Sequence, residues 1–154
     1  MQRIINNLSS RNQTGKMMKK LINTFSNDID KIAVKKNGNV KAIKNMSLFE
    51  FFNIVKNIPY RKDTAPVEVI SRPAHILKLS KLGMDCKKKS ILMCSFCKQK
   101  NIPFRLIASS KKINHRIHHV FPQAKINGKW KNIDATYNHY KIFEPKKVTY
   151  AVQL

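Results

Sequence analysis

Acidic residues are scarce in this 154-residue chain, in which 8 Asp and Glu stand against 31 Lys and Arg and the formal net charge is +23. Such an excess of positive charge favours negatively charged partners: nucleic acids, anionic lipid surfaces, or acidic proteins and polymers. Net charge governs association and solubility, but it does not specify a fold. A hydrophobic content of 42% is enough to build a core, so a wholly disordered chain is excluded.

Long apolar runs are also absent from the sequence. No stretch reaches the roughly 18 apolar residues of a membrane span, so we predict no transmembrane segment. Residues 1–20 are polar and basic and lack the apolar region of a secretory signal. We therefore expect no signal peptide and a cytoplasmic location.

Cysteine is sparse and odd in number, which argues against a disulfide framework and for a reducing compartment. The three residues are Cys86, Cys94 and Cys97. The last two form a CxxC pair in an apolar stretch, where we expect them to pack in the core as small hydrophobic side chains. Zinc is the alternative interpretation, with ligands drawn from Cys94, Cys97, His115, His118 and His119. Because a second CxxC pair and a knuckle glycine are missing, we predict neither a metal nor a cofactor.

Hydrophobic periodicity predicts an α+β fold, with helices first and antiparallel strands later. Residues 1–30 are interpreted as a basic N-terminal arm or helix, and residues 31–154 as the domain. Within that domain, Ser47 and Glu50 form a capping box that begins an amphipathic helix. Asp85 caps a second helix that runs from Cys86 to about Gln99.

Two Asn-Gly turns predict two hairpins, over residues 32–43 and 117–135. Short strands are predicted over residues 104–108 and 148–152. Residues 60–82 are predicted to be irregular and to hold one short segment at residues 67–70. Residues 109–116 are predicted to form a basic loop. Trp130 is expected to lie in the core rather than on a substrate.

Three features stand in chain order as candidates for catalysis: Cys86 at a helix start, the pair His118-His119 on a strand, and Asp134 on the next strand. A helix N-terminus and nearby cations stabilise a thiolate, and the lysines at 87–89 supply positive charge there. An imidazole must hold the proton, and a third group must orient that imidazole.

Hairpin register distinguishes the two histidines. A two-residue turn at Asn127-Gly128 makes His119 and Asp134 diagonal neighbours on one face of the sheet, while His118 lies on the other face. A bulge at Pro122 would invert this parity, so His118 stays open as the alternative.

The combination of spaced motifs resembles the transglutaminase-like superfamily, in particular its compact bacterial and bacteriophage members. The stretches that carry the resemblance are Gly83-Met84-Asp85-Cys86, Ile102-Pro103-Phe104-Arg105, His119-Val120-Phe121 and Gly128 to Thr136, preceded by Ile58-Pro59-Tyr60 and Arg72-Pro73-Ala74. The resemblance covers about residues 47–140. No single element would be specific, but several agree in order and spacing.

The resemblance implies a papain-like α+β core with N-terminal helices packed on an antiparallel sheet. It also implies a cysteine hydrolase or acyltransferase in which Cys86 is the nucleophile, His119 the general acid and base, and Asp134 the residue that orients it. The implied substrate is an amide in a peptide, a protein or peptidoglycan, attacked to give a thioester. The oxyanion hole would use the Cys86 backbone N–H and a second donor, for which the region of Ser71 and Arg72 is a candidate.

A different class of function remains open on the charge alone. In that hypothesis the chain is a basic structural or virion protein, or one associated non-specifically with nucleic acid or with an acidic partner, and its triad is idle. Its location would then be the virion rather than the cytoplasm.

Overall fold

The chain folds as a mixed structure of helices and antiparallel strands. The structure is a computed structural model, and it describes residues 4–6, 11–64 and 68–154. The regular elements, in chain order, are β1 (Ile4–Asn6), α1 (Arg11–Phe25), β2 (Ala33–Lys36), β3 (Asn39–Ala42), α2 (Leu48–Asn57), β4 (Glu68–Ile70), α3 (Pro73–Lys78), α4 (Cys86–Gln99), β5 (Phe104–Ser110), β6 (His119–Ile126), β7 (Lys129–Asn132) and β8 (Tyr150–Gln153). The α+β prediction is confirmed.

The main sheet has four antiparallel strands in the order β7-β6-β5-β8. The two central strands, β5 and β6, pair from Phe104 with Ala124 to Ser109 with His119. Two smaller ladders join β1 to β4 and β2 to β3. The sheet therefore brings the middle and the end of the chain together.

Helix α4 is the centre of the fold, because α1, α2, α3 and strands β5 and β6 all pack against it. Its residues from Lys89 to Cys97 are buried, as expected of a helix enclosed on all sides. The Phe51 ring of α2 stacks on the Phe96 ring of α4 with 4.7 Å between ring centroids. Cys94 and Cys97 are fully buried here, so the interpretation of the CxxC pair as core packing is confirmed.

Local sequence signals account for several element boundaries. The Ser47 hydroxyl accepts from the Glu50 N–H at 3.1 Å, and the Glu50 carboxylate accepts from the Ser47 N–H at 2.7 Å, which confirms the capping box. Both predicted hairpins are present, with Asn37 and Asn127 in the left-handed conformation that their turns require.

The prediction for residues 60–82 is wrong in part. Strand β4 falls within the short segment expected at residues 67–70, but α3 and a 3-10 turn at Ser80–Leu82 stand where irregular backbone was expected. Pro73 stands at the first turn of α3, where a missing N–H costs nothing and the fixed φ favours the helix. A proline that reads as a breaker in the sequence therefore starts a helix here.

Two further predictions need correction. Strand β5 continues through Ser110, so the irregular loop begins later than expected. Trp130 is 36% exposed rather than buried, and the guanidinium of Arg105 lies 4.4 Å from its ring centroid. A tryptophan on the outer face of a sheet can stack one ring face against a cation while the rest of its ring stays partly exposed to solvent.

The N-terminal segment is described in part. Of the predicted arm or helix over residues 1–30, residues 1–3 and 7–10 lie outside the described residues, and α1 occupies residues 11–25. Met18, Leu21 and Ile22 of α1 are buried in the common core. Among the described residues, no helix combines the length and apolar character that crossing a membrane requires.

Candidate active site

The backbone that leads into helix α4 is held in place by the segment around Pro59. The Met84 N–H donates to the Pro59 carbonyl at 2.9 Å, and the Arg61 N–H donates to the Met84 carbonyl at 3.2 Å. Gly83 makes this approach possible, since its φ is +80° and a Cβ there would lie 2.9 Å from the Arg61 Cβ. The backbone immediately before Cys86 is thereby held against the end of α2.

Asp85 caps α4 and places Cys86 as its first residue. An Asp85 carboxylate oxygen accepts from the Lys88 N–H at 3.0 Å. Cys86 is only 8% exposed and sits in the first turn, where N–H groups have no acceptor within the helix. These N–H groups give the helix end a partial positive charge.

The three lysines after Cys86 do not act as one positive cluster. Lys87 pairs with Asp85 at 2.7 Å, and Lys88 pairs with Asp63. Lys89 is 1% exposed, and its ammonium donates to the Ile58 carbonyl at 2.6 Å and the Thr136 carbonyl at 2.8 Å. The expectation that all three lysines add positive charge at the thiol is therefore wrong for two of them, which are neutralised by carboxylates.

His119 lies between Asp134 and Cys86. Its Nε2 is 2.7 Å from the Asp134 Oδ2, and its imidazole also interacts with Cys86. Because Nε2 faces the carboxylate, Nδ1 is the nitrogen left to face sulfur. His118 is exposed and its Nδ1 contacts the Arg116 carbonyl instead. The structure thus brings Cys86, His119 and Asp134 together and leaves His118 outside.

Asp134 is surrounded by donors on both carboxylate oxygens. Its Oδ1 accepts from the Thr136 N–H at 3.1 Å and from the Thr136 hydroxyl at 2.6 Å. Its Oδ2 accepts from His119 and also lies 2.8 Å from the Lys146 ammonium. The carboxylate is 2% exposed, so these contacts replace the water that it would otherwise bind.

Both members of this pair have displaced pKa values. Burial alone would lower the pKa of His119, but hydrogen bonds to Asp134 and Cys86 outweigh it and raise the pKa to about 9. Burial alone would raise the pKa of Asp134, but His119 and Lys146 outweigh it and lower the pKa to about 2. At neutral pH the pair is therefore an imidazolium and a carboxylate.

The other two thiols differ from Cys86 in their surroundings. Burial raises the pKa of Cys94 well above its ordinary value, and burial raises that of Cys97 to about 12. Both therefore stay as neutral thiols in the core. His115 is exposed in the loop before β6, away from that core. Within the part of the chain that the structure describes, no three His, Cys, Asp or Glu side chains come close enough to hold a metal ion.

Pro122 determines where the strand before Asp134 ends. The β6–β7 ladder keeps the predicted register from Ile126 with Lys129 to Gln123 with Asn132, without a bulge. At the next position the Ile133 N–H donates to the Pro122 carbonyl at 3.0 Å, but proline returns no N–H. Strand β7 therefore ends at Asn132 rather than at the expected residue 135, and Asp134 follows in irregular backbone.

Sequence reasoning missed Lys146 and Lys89. Lys146 lies in the loop before β8, and no local pattern links it to Asp134. The role of Lys89 could have been inferred from the sequence, because this lysine lies within a helix whose other residues are almost all buried. A lysine at such a position implies specific acceptors, which here are backbone carbonyls.

Aromatic side chains line the approach to the three residues. The Tyr60 and Tyr137 rings lie 4.9 Å apart, and the Tyr140 ring packs edge-on against Tyr137 at 5.1 Å. Burial, with the nearby Tyr137 and Cys86, raises the pKa of Tyr60 to about 12. Burial, with the nearby Asp134, raises the pKa of Tyr140 to about 12 as well. Both phenols therefore remain neutral hydrogen-bond donors throughout the physiological range.

The expected second oxyanion donor is not found in Arg72. Its guanidinium donates to both oxygens of Asp28, at 2.8 and 2.5 Å, and packs over the Phe25 ring. Ser71 is buried and lines a neighbouring groove. This part of the chain thus anchors α3 to the segment after α1.

Comparison with known proteins places the chain in a family. The family model of the transglutaminase-like superfamily matches residues 20–135. A crystal structure of a candidate cysteine protease from Cytophaga hutchinsonii is similar at 15% identity and a TM-score of 0.46, over 92% of this chain and 50% of that one. The chain thus spans half the length of that protein. No curated protein matches the sequence significantly. On the family match, which covers most of its length, the chain belongs to the transglutaminase-like superfamily.

Proposed function

We propose that this protein is a cysteine hydrolase or acyltransferase that acts on an amide bond through Cys86, His119 and Asp134. One observation carries the proposal: His119 is hydrogen-bonded to Asp134 through Nε2 at 2.7 Å and also interacts with Cys86 at the start of α4. A nucleophile, a base and a group that orients the base are the parts that nucleophilic catalysis requires.

In the reactive form, Cys86 has given its thiol proton to the Nδ1 of His119, which leaves a thiolate beside an imidazolium. The raised pKa of His119 keeps the imidazole protonated at neutral pH. Asp134 stabilises the imidazolium as an ionised carboxylate. Lys146 and Thr136 keep Asp134 ionised and hold its orientation.

Acylation begins when the thiolate attacks the carbonyl carbon of the amide. The new S–C bond forms as the carbonyl electron pair moves to oxygen, and the Cys86 N–H at the helix start donates to that oxyanion. When the C–N bond breaks, the His119 imidazolium gives its proton to the leaving nitrogen. The products of this step are an amine and a thioester on Cys86.

Deacylation reverses these roles. Neutral His119 takes a proton from water or from an acceptor amine, whose oxygen or nitrogen attacks the thioester carbonyl and expels the Cys86 thiolate. Water gives hydrolysis, and an amine gives transfer. We propose cleavage of peptide or peptidoglycan amides ahead of cross-linking of whole proteins, because the sequence motifs resemble those of compact bacterial and bacteriophage members of the superfamily.

An amide-substrate screen with mass-spectrometric detection tests the proposal. Peptides, denatured proteins and peptidoglycan fragments are incubated with the protein, with and without an added primary amine. We expect cleavage or amine exchange in the wild type and none in Cys86→Ala. We expect His119→Gln to lose at least about a hundredfold in rate, the usual contribution of a general base.

His118→Gln is the matched control, because His118 is the adjacent histidine and faces away from the site. It should keep activity within a few-fold of the wild type. Equal losses in His118→Gln and His119→Gln, or turnover that survives in Cys86→Ala, would count against the assignment.

A further inference from the structure

A groove of about 430 Å³ lies against the segment that precedes helix α4. We call it the basic groove and define it by Arg61, Lys62, Ser71, His75, Met84 and Lys88, which line it with others. Met84 is two residues before Cys86, and Lys88 is in the first turn of the same helix. Its volume is typical of ligand pockets, so it can hold part of a peptide bound near the start of α4.

The charge of the basic groove is positive. Three cationic side chains line it, Arg61, Lys62 and Lys88, against the single carboxylate of Asp63. That carboxylate is neutralised, because it pairs with Lys88 and also accepts from the Val69 N–H at 2.8 Å. Within the described residues, neither Arg61 nor Lys62 has an ion-pair partner, so two cations remain available to a ligand.

His75 supplies a second, independent observation. Both of its ring nitrogens are buried, and neither has a hydrogen-bond partner among the described residues. A buried polar group without a partner is costly, and it is tolerated at binding sites where a ligand completes its hydrogen bond. His75 lines the basic groove, so an acceptor such as a carboxylate bound there lies close to an imidazole that lacks a partner among the described residues.

We propose that the basic groove binds the carboxylate-bearing side chains of an acidic peptide whose amide is presented to Cys86. This inference rests on the proposed function and names its substrate class. A carboxylate suits Arg61 through paired hydrogen bonds and Lys62 through charge. Hydrophobic lining by Ile76, Leu79 and Met84 suits a peptide better than a nucleic acid backbone, which needs phosphate contacts along an open surface.

Two isosteric affinity labels test the proposal even before a natural substrate is identified. They are peptidyl chloromethyl ketones that differ only in carrying two Glu or two Gln residues. The second-order rate of Cys86 alkylation is measured for each at low salt. We expect the Glu label to react about tenfold faster, the effect that two partly exposed ion pairs provide, and the ratio to approach one near 1 M salt.

The double variant Arg61→Gln/Lys62→Gln should bring the ratio close to one at low salt. The matched control is Lys35→Gln/Lys36→Gln, which removes the same charge from exposed positions on β2 and should keep the ratio. An equal fall in both double variants would assign the effect to net charge and overturn the proposal. A wild-type ratio near one, with Cys86 alkylated by both labels, would overturn it and leave the proposed function standing.

Failure of the proposed function gives a different result, in which neither label modifies Cys86.

Competition between the labels and unreactive polymers identifies the occupant of the basic groove. If poly-glutamate protects Cys86 in the wild type and not in Arg61→Gln/Lys62→Gln, the proposal is supported. The same competition is run with an oligonucleotide, and the two polymers are compared at equal concentrations of negative charge. If the oligonucleotide protects Cys86 at a lower concentration than poly-glutamate, and Arg61→Gln/Lys62→Gln abolishes that protection, the occupant is nucleic acid and the proposal is overturned.

Discussion

Lys146 and His119 share one oxygen of Asp134: the Lys146 ammonium lies 2.8 Å and the His119 Nε2 lies 2.7 Å from the same Oδ2. The Lys146 ammonium also sits 3.3 Å from the centroid of the Tyr140 ring. A carboxylate oxygen that is bonded to two cations stabilises the charged form of each of them less than it would stabilise one cation alone. Lys146 therefore sets how strongly Asp134 holds the proton on His119.

We predict that Lys146→Met raises the pKa of His119 above its wild-type value of about 9. Loss of a neighbouring positive charge favours the imidazolium, and Asp134 then bonds His119 alone. NMR titration of the His119 ring measures the shift directly, and the alkaline limb of kcat/KM should move in the same direction.

Lys146→Arg serves as the control for this prediction. It keeps a cation beside Asp134, and its titration should stay close to that of the wild type. If Lys146→Met lowers activity without moving the His119 titration, Lys146 has only a structural role.

Lys89 links the helix of Cys86 to the residue that holds Asp134. Its ammonium donates to the Thr136 carbonyl, and Thr136 in turn donates twice to Asp134. We predict that Lys89→Met destabilises the protein by about 2–4 kcal/mol, because buried carbonyls lose their donor. Urea unfolding measures the change, and Lys35→Met at an exposed position should stay within about 0.5 kcal/mol.

The same lysine predicts a dependence of stability on pH. Burial lowers the pKa of Lys89 to about 8, below its ordinary value of 10.5, so the charged side chain carries a desolvation penalty in the folded state at low pH. This penalty disappears as pH rises from about 8 to 10.5. The stability gap between wild type and Lys89→Met should therefore widen over that interval, and a constant gap would contradict the assignment.

His119 predicts the opposite trend. Its folded pKa of about 9 exceeds the ordinary 6.5, so its contribution to stability is complete below pH 6.5 and is lost as pH rises to about 9. The shift corresponds to roughly 3 kcal/mol. The free energy of unfolding of the wild type, relative to His119→Gln, should fall by about that amount between pH 6 and pH 10.

This comparison isolates His119, because both proteins contain Lys89 and its contribution cancels. Parallel stability curves for wild type and His119→Gln would show that the imidazole is not held in its protonated form.

The features that were predictable from the sequence are those whose determinants are local. Asp85 and Cys86 follow from cap chemistry at a helix start. The Asn127-Gly128 turn fixes the register that carries His119 towards Asp134, and the hairpin stayed free of bulges despite Pro122. These signals act within a few residues of one another.

The features that were missed depend on contacts between distant segments. Lys146 reaches Asp134 because the Phe143 N–H donates to the Asn132 carbonyl and the Asn132 side chain donates to the Glu144 carbonyl, each at 2.8 Å. Helix α3 is six residues long and depends on packing against α4 rather than on its own propensity. No periodicity within either segment encodes these contacts.

The most direct test of the account is the rate of iodoacetamide alkylation at pH 6, mapped to each cysteine by mass spectrometry. We predict rapid modification of Cys86 alone, because only its thiol lies at a helix start beside an imidazolium, whereas Cys94 and Cys97 are fully buried. Cys86→Ala should abolish the reaction, and His119→Gln should slow it while His118→Gln does not. Slow and equal modification of all three thiols would contradict the assignment of Cys86 as an activated nucleophile.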